Sequence, residues 1–439
     1  MIEYISSGKK VNSKGNNSKT VNNMGNIKKV GDSLLGRRHA NTGRYPYTFL
    51  FIFIFYFGAN GVLNPFFPVY LDHIGFSQTI KGVLLALGPL VAMLSQPLWG
   101  IMGDRAKTKN AILKILIAAS ALFFSFFLLH TETWYVFAIY IIFMFFYSSI
   151  NPMIDTITLD YLERTKWKFG PIRAGGTIGF ALTALTSGFI IRDKINNMFI
   201  MYSAILCICF IFACRLQPVK GYQFGKKKIS QASLLKNRKL MSLMALGFAV
   251  QVTLGYYYSF YPVYVKQLGG DSTLLGLAMF ISASSELPFL FFANRITRKL
   301  GIVNTLLGSA LLTALRWFIT YSANNACHAV LANFLHGFTF IVFTYCLAVF
   351  INENVPKELR ASGQALNGLI NMGAARIVGN ILGGVLSDIF GIKKMFLYIS
   401  LFGFATAIVF WFVLKKSSKY AVKGVGEDEN GEVEKGGVE

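Results

Sequence analysis

The chain has 439 residues, of which 54% are hydrophobic and 14% charged, with 41 Phe and a mean hydropathy of +0.50. That composition excludes an ordinary water-soluble domain and points to a bilayer as solvent. The net charge of +23 is no nucleic-acid footprint, because much of the basic excess sits in short stretches between apolar runs, as membrane topology requires.

Residues 1–44 are rich in Asn, Ser, Gly and Lys and lack an apolar run after their basic start, so they read as a disordered cytoplasmic tail and not as a cleavable signal. A membrane helix needs roughly 20 mostly apolar residues. Twelve segments meet that length, at 47–71, 79–102, 109–130, 133–160, 171–191, 196–216, 239–264, 273–294, 302–321, 326–351, 362–387 and 395–414. They predict an all-α membrane protein with an N-terminal bundle over 45–216, a central cytoplasmic loop over 217–238, a C-terminal bundle over 239–415 and a cytoplasmic tail over 416–439. With the N-terminus inside, the inner connections hold eighteen Lys and Arg against six on the other side. That bias predicts both termini in the cytoplasm.

The polar, basic stretch 217–238 divides two halves that resemble each other. Pro68, Val69, Tyr70, Gly75, Thr79 and Gly82 recur as Pro262, Val263, Tyr264, Gly269, Thr273 and Gly276, each displaced by 194 residues. Two similar six-helix bundles can rock about a site between them, which is the symmetry that alternating access uses. Glycine-rich runs at Gly175–Gly179 and Gly379–Gly384 suit close helix approach; dimerisation through them is the alternative, and a monomer is expected.

A charge at mid-membrane costs about 2.5–3.5 kcal/mol even on insertion scales, so each is a candidate for a water-lined path. Asp155 in the fourth helix and Arg173 in the fifth fall at similar depth and are expected to pair. Glu286, Arg316, His336 and Arg376, in the eighth to eleventh helices, form a second cluster. A carboxylate beside an arginine and a histidine holds or releases a proton according to what completes the site, which is the physics of proton-coupled transport. The competing reading of every such charge is a cross-helix pair that only fixes the bundle. Asp72, Asp104 and Asp388 lie at helix ends, outside the expected substrate site. Tyr256, Tyr257 and Tyr258 offer aromatic faces for a solute, with Tyr257 taken as the contact. The five cysteines lack paired spacing and read as packing residues, and no metal or other cofactor is expected beyond a proton as coupling ion. No hydrolase, phosphate-loop or zinc-protease motif supports an enzyme.

Gly100-Ile101-Met102-Gly103-Asp104-Arg105, followed by Lys107 and Lys109, resembles the loop signature of the major facilitator superfamily, although Lys107 replaces a glycine. That resemblance implies a gating loop carried by Gly100, Asp104 and Arg105. Pro152-Met153-Ile154-Asp155, Phe169-Gly170-Pro171-Ile172-Arg173, and Gly176 with Gly179-Phe180 are similar to the lactose permease and phenylpropionate permease branch. Ser285-Glu286, Arg316-Trp317 and Leu335-His336-Gly337-Phe338-Thr339-Phe340 continue the likeness, which runs from about residue 45 to 415. The resemblance implies that Asp155, Arg173 and Phe180 hold the substrate and that Glu286, Arg316 and His336 join recognition to proton coupling. Thr339 stands where lactose permease has its proton-carrying glutamate, leaving Glu286, Asp155 and His336 as carriers, with sodium coupling ranked second. The expected function is uptake of a small sugar-like or aromatic-acid solute across the plasma membrane. An exporter on the same fold is the nearest alternative, and a non-transporting ligand sensor a more remote one.

Overall fold

The computed structural model describes residues 45–163, 165–219, 234, 237–356 and 359–427. The tail over 1–44, most of the connection over 217–238 and the last residues from 428 lie outside these. Twelve helices are long and apolar enough to cross a membrane: α1 Tyr47–His73, α2 Gln78–Arg105, α3 Lys109–Leu128, α4 Thr133–Leu162, α5 Phe169–Ile191, α6 Asn197–Cys214, α7 Arg238–Gln267, α8 Ser272–Leu300, α9 Ile302–Ser322, α10 Ala326–Asn354, α11 Ser362–Phe390 and α12, whose apolar part is Ile392–Leu414. Helices are the natural solution because each satisfies its own backbone groups where no water can. The helix of α12 continues to Glu427, through residues expected as tail, since no proline interrupts that stretch.

Three helices are interrupted in mid-span, which hydropathy does not reveal, and α3 closes in a 3₁₀ turn over Phe126–Leu128. In α4 the helix breaks at Ser148 and Ser149 and resumes over Ile150–Leu162. In α10 a 3₁₀ segment spans Ala332–Phe338, and in α11 a π segment spans Gly368–Ala374. Such irregular turns inside apolar helices re-aim side chains and accompany functional sites.

The repeated residues have repeated jobs. Tyr70 Oη donates to the Phe127 carbonyl at 3.1 Å and Tyr264 Oη to the Thr320 carbonyl at 3.3 Å, each tying the first helix of its half to the end of the third. Gly75 and Gly269 turn the chain at φ of 85° and 82°. Ser77 and Asp271, in the same register, cap α2 and α8 by accepting from Ile80 N and Leu274 N. Gly82 and Gly276 then meet the opposite half: a Cβ at Gly82 would strike the Asn380 carbonyl of α11, and one at Gly276 the Ala184 carbonyl of α5.

The halves therefore join along α2–α11 and α5–α8, at one end of the bundle. There Asp388 Oδ1 accepts from Gln78 N at 2.9 Å and Oδ2 from Thr79 N at 2.8 Å, so a carboxylate of one half caps a helix of the other. Arg192 Nε lies 3.3 Å from Asp271 Oδ2, and the buried Lys81 pairs with Asp72 beside this seam. Toward the face that carries the α6–α7 connection the packing differs: a Cβ at Gly100, Gly170 or Gly368 meets nothing within 4 Å. The contacts between the halves thus gather at the Asp388 face. Asp388→Asn removes the charge from both capping bonds, worth about 1–2 kcal/mol together. A lone cysteine at Leu185 in the seam should consequently react faster with an impermeant maleimide, and an unchanged rate would show that Asp388 does not hold the seam.

Candidate functional site

On the first half, the break in α4 places Asn151 and Asp155 on the resumed helix. Asn151 Nδ2 donates to Asp155 Oδ2 at 3.3 Å, while Oδ1 is buried without a partner. Arg173 on α5 lies over the ring of Phe57, 3.9 Å from its centroid, and 5.5 Å from that of Phe53. The expected Asp155–Arg173 ion pair is absent among the described residues: the aromatic faces of α1 hold the guanidinium back, and the two charges interact only across a gap. Arg173 also feels Glu286 of the second half, more weakly than it feels Asp155. Phe180 lies seven residues along α5, on the same side as Arg173 and half-buried. Beneath them Tyr147 Oη donates to Asn60 Oδ1, and Asn60 Nδ2 to the Tyr56 carbonyl at 3.0 Å.

On the second half the 3₁₀ turn of α10 brings Asn333, His336 and Thr339 to Arg316, which is 0% exposed. Arg316 Nη2 donates to Asn333 Oδ1 at 2.6 Å, Nη1 to His336 Nδ1 at 2.9 Å and Nη1 to Thr339 Oγ1 at 3.4 Å. Its guanidinium carbon sits 4.2 Å from the ring centroid of Tyr257. Arginine only donates, so Nδ1 of His336 bears no proton and the ring's proton is assigned to Nε2. That atom lies 3.3 Å from Tyr258 Oη and 3.7 Å from Glu286 Oε1. His336 is thus neutral while Arg316 holds it, which removes it from the three candidate proton carriers in this conformation.

One further expectation, the solute contact of Tyr257, meets a different geometry. Tyr257 is 1% exposed and its hydroxyl donates to Asn333 Oδ1 at 2.7 Å, so it orients the arginine from below, whereas half-buried Tyr258 reaches the cavity side. Asn333, which also donates to Tyr261 Oη at 2.7 Å, went unrecognised in the sequence. Its signal was a lone amide three residues before His336 in an apolar run. In the gating loop Asp104 lies 3.6 Å from Lys109, which also binds Asp160 at 2.8 Å. A Cβ at Gly100 would meet nothing within 4 Å, and the ion pair of Asp104 with Lys109 lies within its own half. No group of three His, Cys, Asp or Glu able to hold a metal occurs among the described residues, and the five cysteines are free.

Two six-helix bundles joined along α2–α11 and α5–α8, with buried charged groups in both halves, define the class of membrane transporters. The chain belongs to the MFS_1 like family, whose model matches residues 47–398, a family of the major facilitator fold. It is 26% identical to a maltose permease of Geobacillus stearothermophilus, over 82% of this chain and 92% of that one. It is 25% identical to the uncharacterized transporter YwbF of Bacillus subtilis (strain 168), over 86% of this chain and 94% of the other. Among solved structures a mutant of the nucleoside transporter NupG superposes with a TM-score of 0.77 at 18% identity, covering 83% of this chain and 98% of that one; it shares the fold.

Proposed function

We propose that the protein is a proton-coupled importer of a small organic solute, sugar-like or an aromatic acid, working as a monomer in the plasma membrane with both termini cytoplasmic. The observation that carries this reading is that Arg173 feels Asp155 of its own half and, more weakly, Glu286 of the other, with an ion pair to neither among the described residues. A carboxylate opposite a fixed cation stays ionised, and one deprived of that cation in a low dielectric takes up a proton. A solute that claims the Arg173 guanidinium would release Glu286 to be protonated, so binding of solute and proton reinforce each other. Glu286 is the first choice of carrier and Asp155 the second, since neither is engaged in an ion pair with an arginine. The name of the maltose permease supports a hydroxylated solute, and the inside bias of Lys and Arg supports the orientation.

The test is uptake into proteoliposomes by variants that insert and melt like the parent. Arg173→Ala and Glu286→Gln should each reduce accumulation by about 100-fold, as expected when an interaction of roughly 2.7 kcal/mol is lost from the transport cycle. Parental rates in both would sink the proposal, and counterflow against preloaded solute separates an importer from an exporter.

A further inference from the structure

Arg376 enters neither network described above, yet its position is specific. On α11, Asn380 lies one turn beyond Arg376 and turns its side chain to α7, where Ser259 Oγ donates to Oδ1 at 2.8 Å. A Cβ at Gly373 would lie 3.2 Å from Met93 Sδ of the first half, and the Asn380 carbonyl is what Gly82 packs against. Arg376 packs its Cα and Cβ against Gly255 of α7, and its guanidinium runs along that helix to Tyr258, whose hydroxyl lies 3.3 Å from His336 Nε2 in the candidate site. The π segment that ends at Ala374, just before it, sets that aim. Its guanidinium carbon stands 5.1 Å from the ring centroid of Tyr258, its Nε is buried without a hydrogen-bond partner, and no ion pair engages it among the described residues. Tyr258 lies within electrostatic range of both Arg376 and Glu286, which puts this arginine beside the candidate site and not at the lipid.

The charges of the site do not balance. Asp155 and Glu286 supply two carboxylates, whereas Arg173, Arg316 and Arg376 supply three guanidinium groups, and His336 is neutral. An uncompensated positive charge in the membrane interior is unfavourable and attracts an anion. Both terminal nitrogens of Arg316 are engaged by Asn333, His336 and Thr339, only its Nε is unbonded, and it is 0% exposed, so the capacity a solute can reach belongs to Arg173 and Arg376.

We propose that Arg376, acting with Arg173 from the opposite half, binds the carboxylate of a monoanionic organic solute, and that Arg376 selects acids over neutral analogues. The inference rests on the importer reading and narrows it from sugar-like or acidic solutes to acids. A planar carboxylate matches the fork of a guanidinium, and its single negative charge equals that of the proton taken up with it. A proton and a monocarboxylate together add no net charge. The fully loaded carrier and the empty one thus present the same charge to the membrane as the halves rock, while either ligand alone does not.

The experiment is a thermal-shift titration of the purified protein with 3-phenylpropionate, benzoate and lactate, each beside its uncharged primary amide, and with maltose as a neutral polyol. At least one carboxylate should raise Tm with no effect of its amide. Arg376→Gln, melting like the parent without ligand, should weaken that carboxylate by about tenfold or more, the loss expected for a charge-assisted bond. Should Arg376→Gln fail to fold, Arg376→Lys keeps the charge but loses the fork and should bind several-fold more weakly. Stabilisation by no carboxylate, equal stabilisation by acid and amide, or parental affinity in the variants overturns the proposal. Proton-driven maltose uptake indifferent to Arg376→Gln would sink this inference and leave the importer standing; carboxylate uptake without pH dependence would do the reverse.

Discussion

Replacing Gly82 and Gly276 together by leucine should abolish transport and leave the Asp388 face open in most molecules. At both positions the obstacle is backbone: a side chain at Gly82 runs into the Asn380 carbonyl and comes within 3.0 Å of Gly384 Cα, and one at Gly276 runs into the Ala184 carbonyl and within 3.2 Å of that of Leu185. Neither can yield by changing a rotamer, so the helices themselves must separate. Overpacking costs about 1–3 kcal/mol per site. Two sites would approach the roughly 5.5 kcal/mol that reverses a 99:1 population. A cysteine at Thr177, on the cavity side of α5, should then label rapidly from the Asp388 face. Labelling as slow as in the parent would mean that these glycines do not set the seam.

Arg316→Ala should be the most damaging single change to stability. It empties a fully buried site, strips His336 Nδ1 of its donor and leaves Asn333 Oδ1 with Tyr257 alone. Cavity and orphaned polar groups together predict a loss of about 3–5 kcal/mol, visible as a fall in Tm of several degrees in detergent. Arg316→Lys should not rescue it, because a single ammonium cannot replace the fork that reaches Asn333 and His336 at once. Arg173→Ala is the informative contrast. Arg173 is half-exposed and makes no ion pair, so its loss should leave Tm nearly unchanged while stopping transport. Equal melting of the two variants would remove the distinction between an arginine that builds the site and one that works in it.

The architecture was legible because hydropathy reports span length directly and the displacement of 194 residues reports the two halves. The repeat said more than symmetry, since Gly82 and Gly276 recur where each half must admit a helix of the other. Inside the site the sequence located depth but not direction. Asp155 and Arg173 fall at one level, as spacing suggests, yet the stacking of Arg173 on Phe57 that separates them depends on α1, a distant part of the chain. Tyr257 and Tyr258 are neighbours facing different ways, which an aromatic run cannot rank. The breaks in α4, α10 and α11 leave the runs apolar, so they escaped notice although they aim Asp155, His336 and Arg376.

That solute and proton cross together through the site between the halves is tested most directly by recording pH in a lightly buffered suspension of proteoliposomes. Maltose and then 3-phenylpropionate are added, and the signal of protein-free vesicles is subtracted. One of the two solutes should cause a transient alkalinisation of the medium that is absent in Glu286→Gln. Uptake of labelled solute by the parent with no change of pH would contradict it.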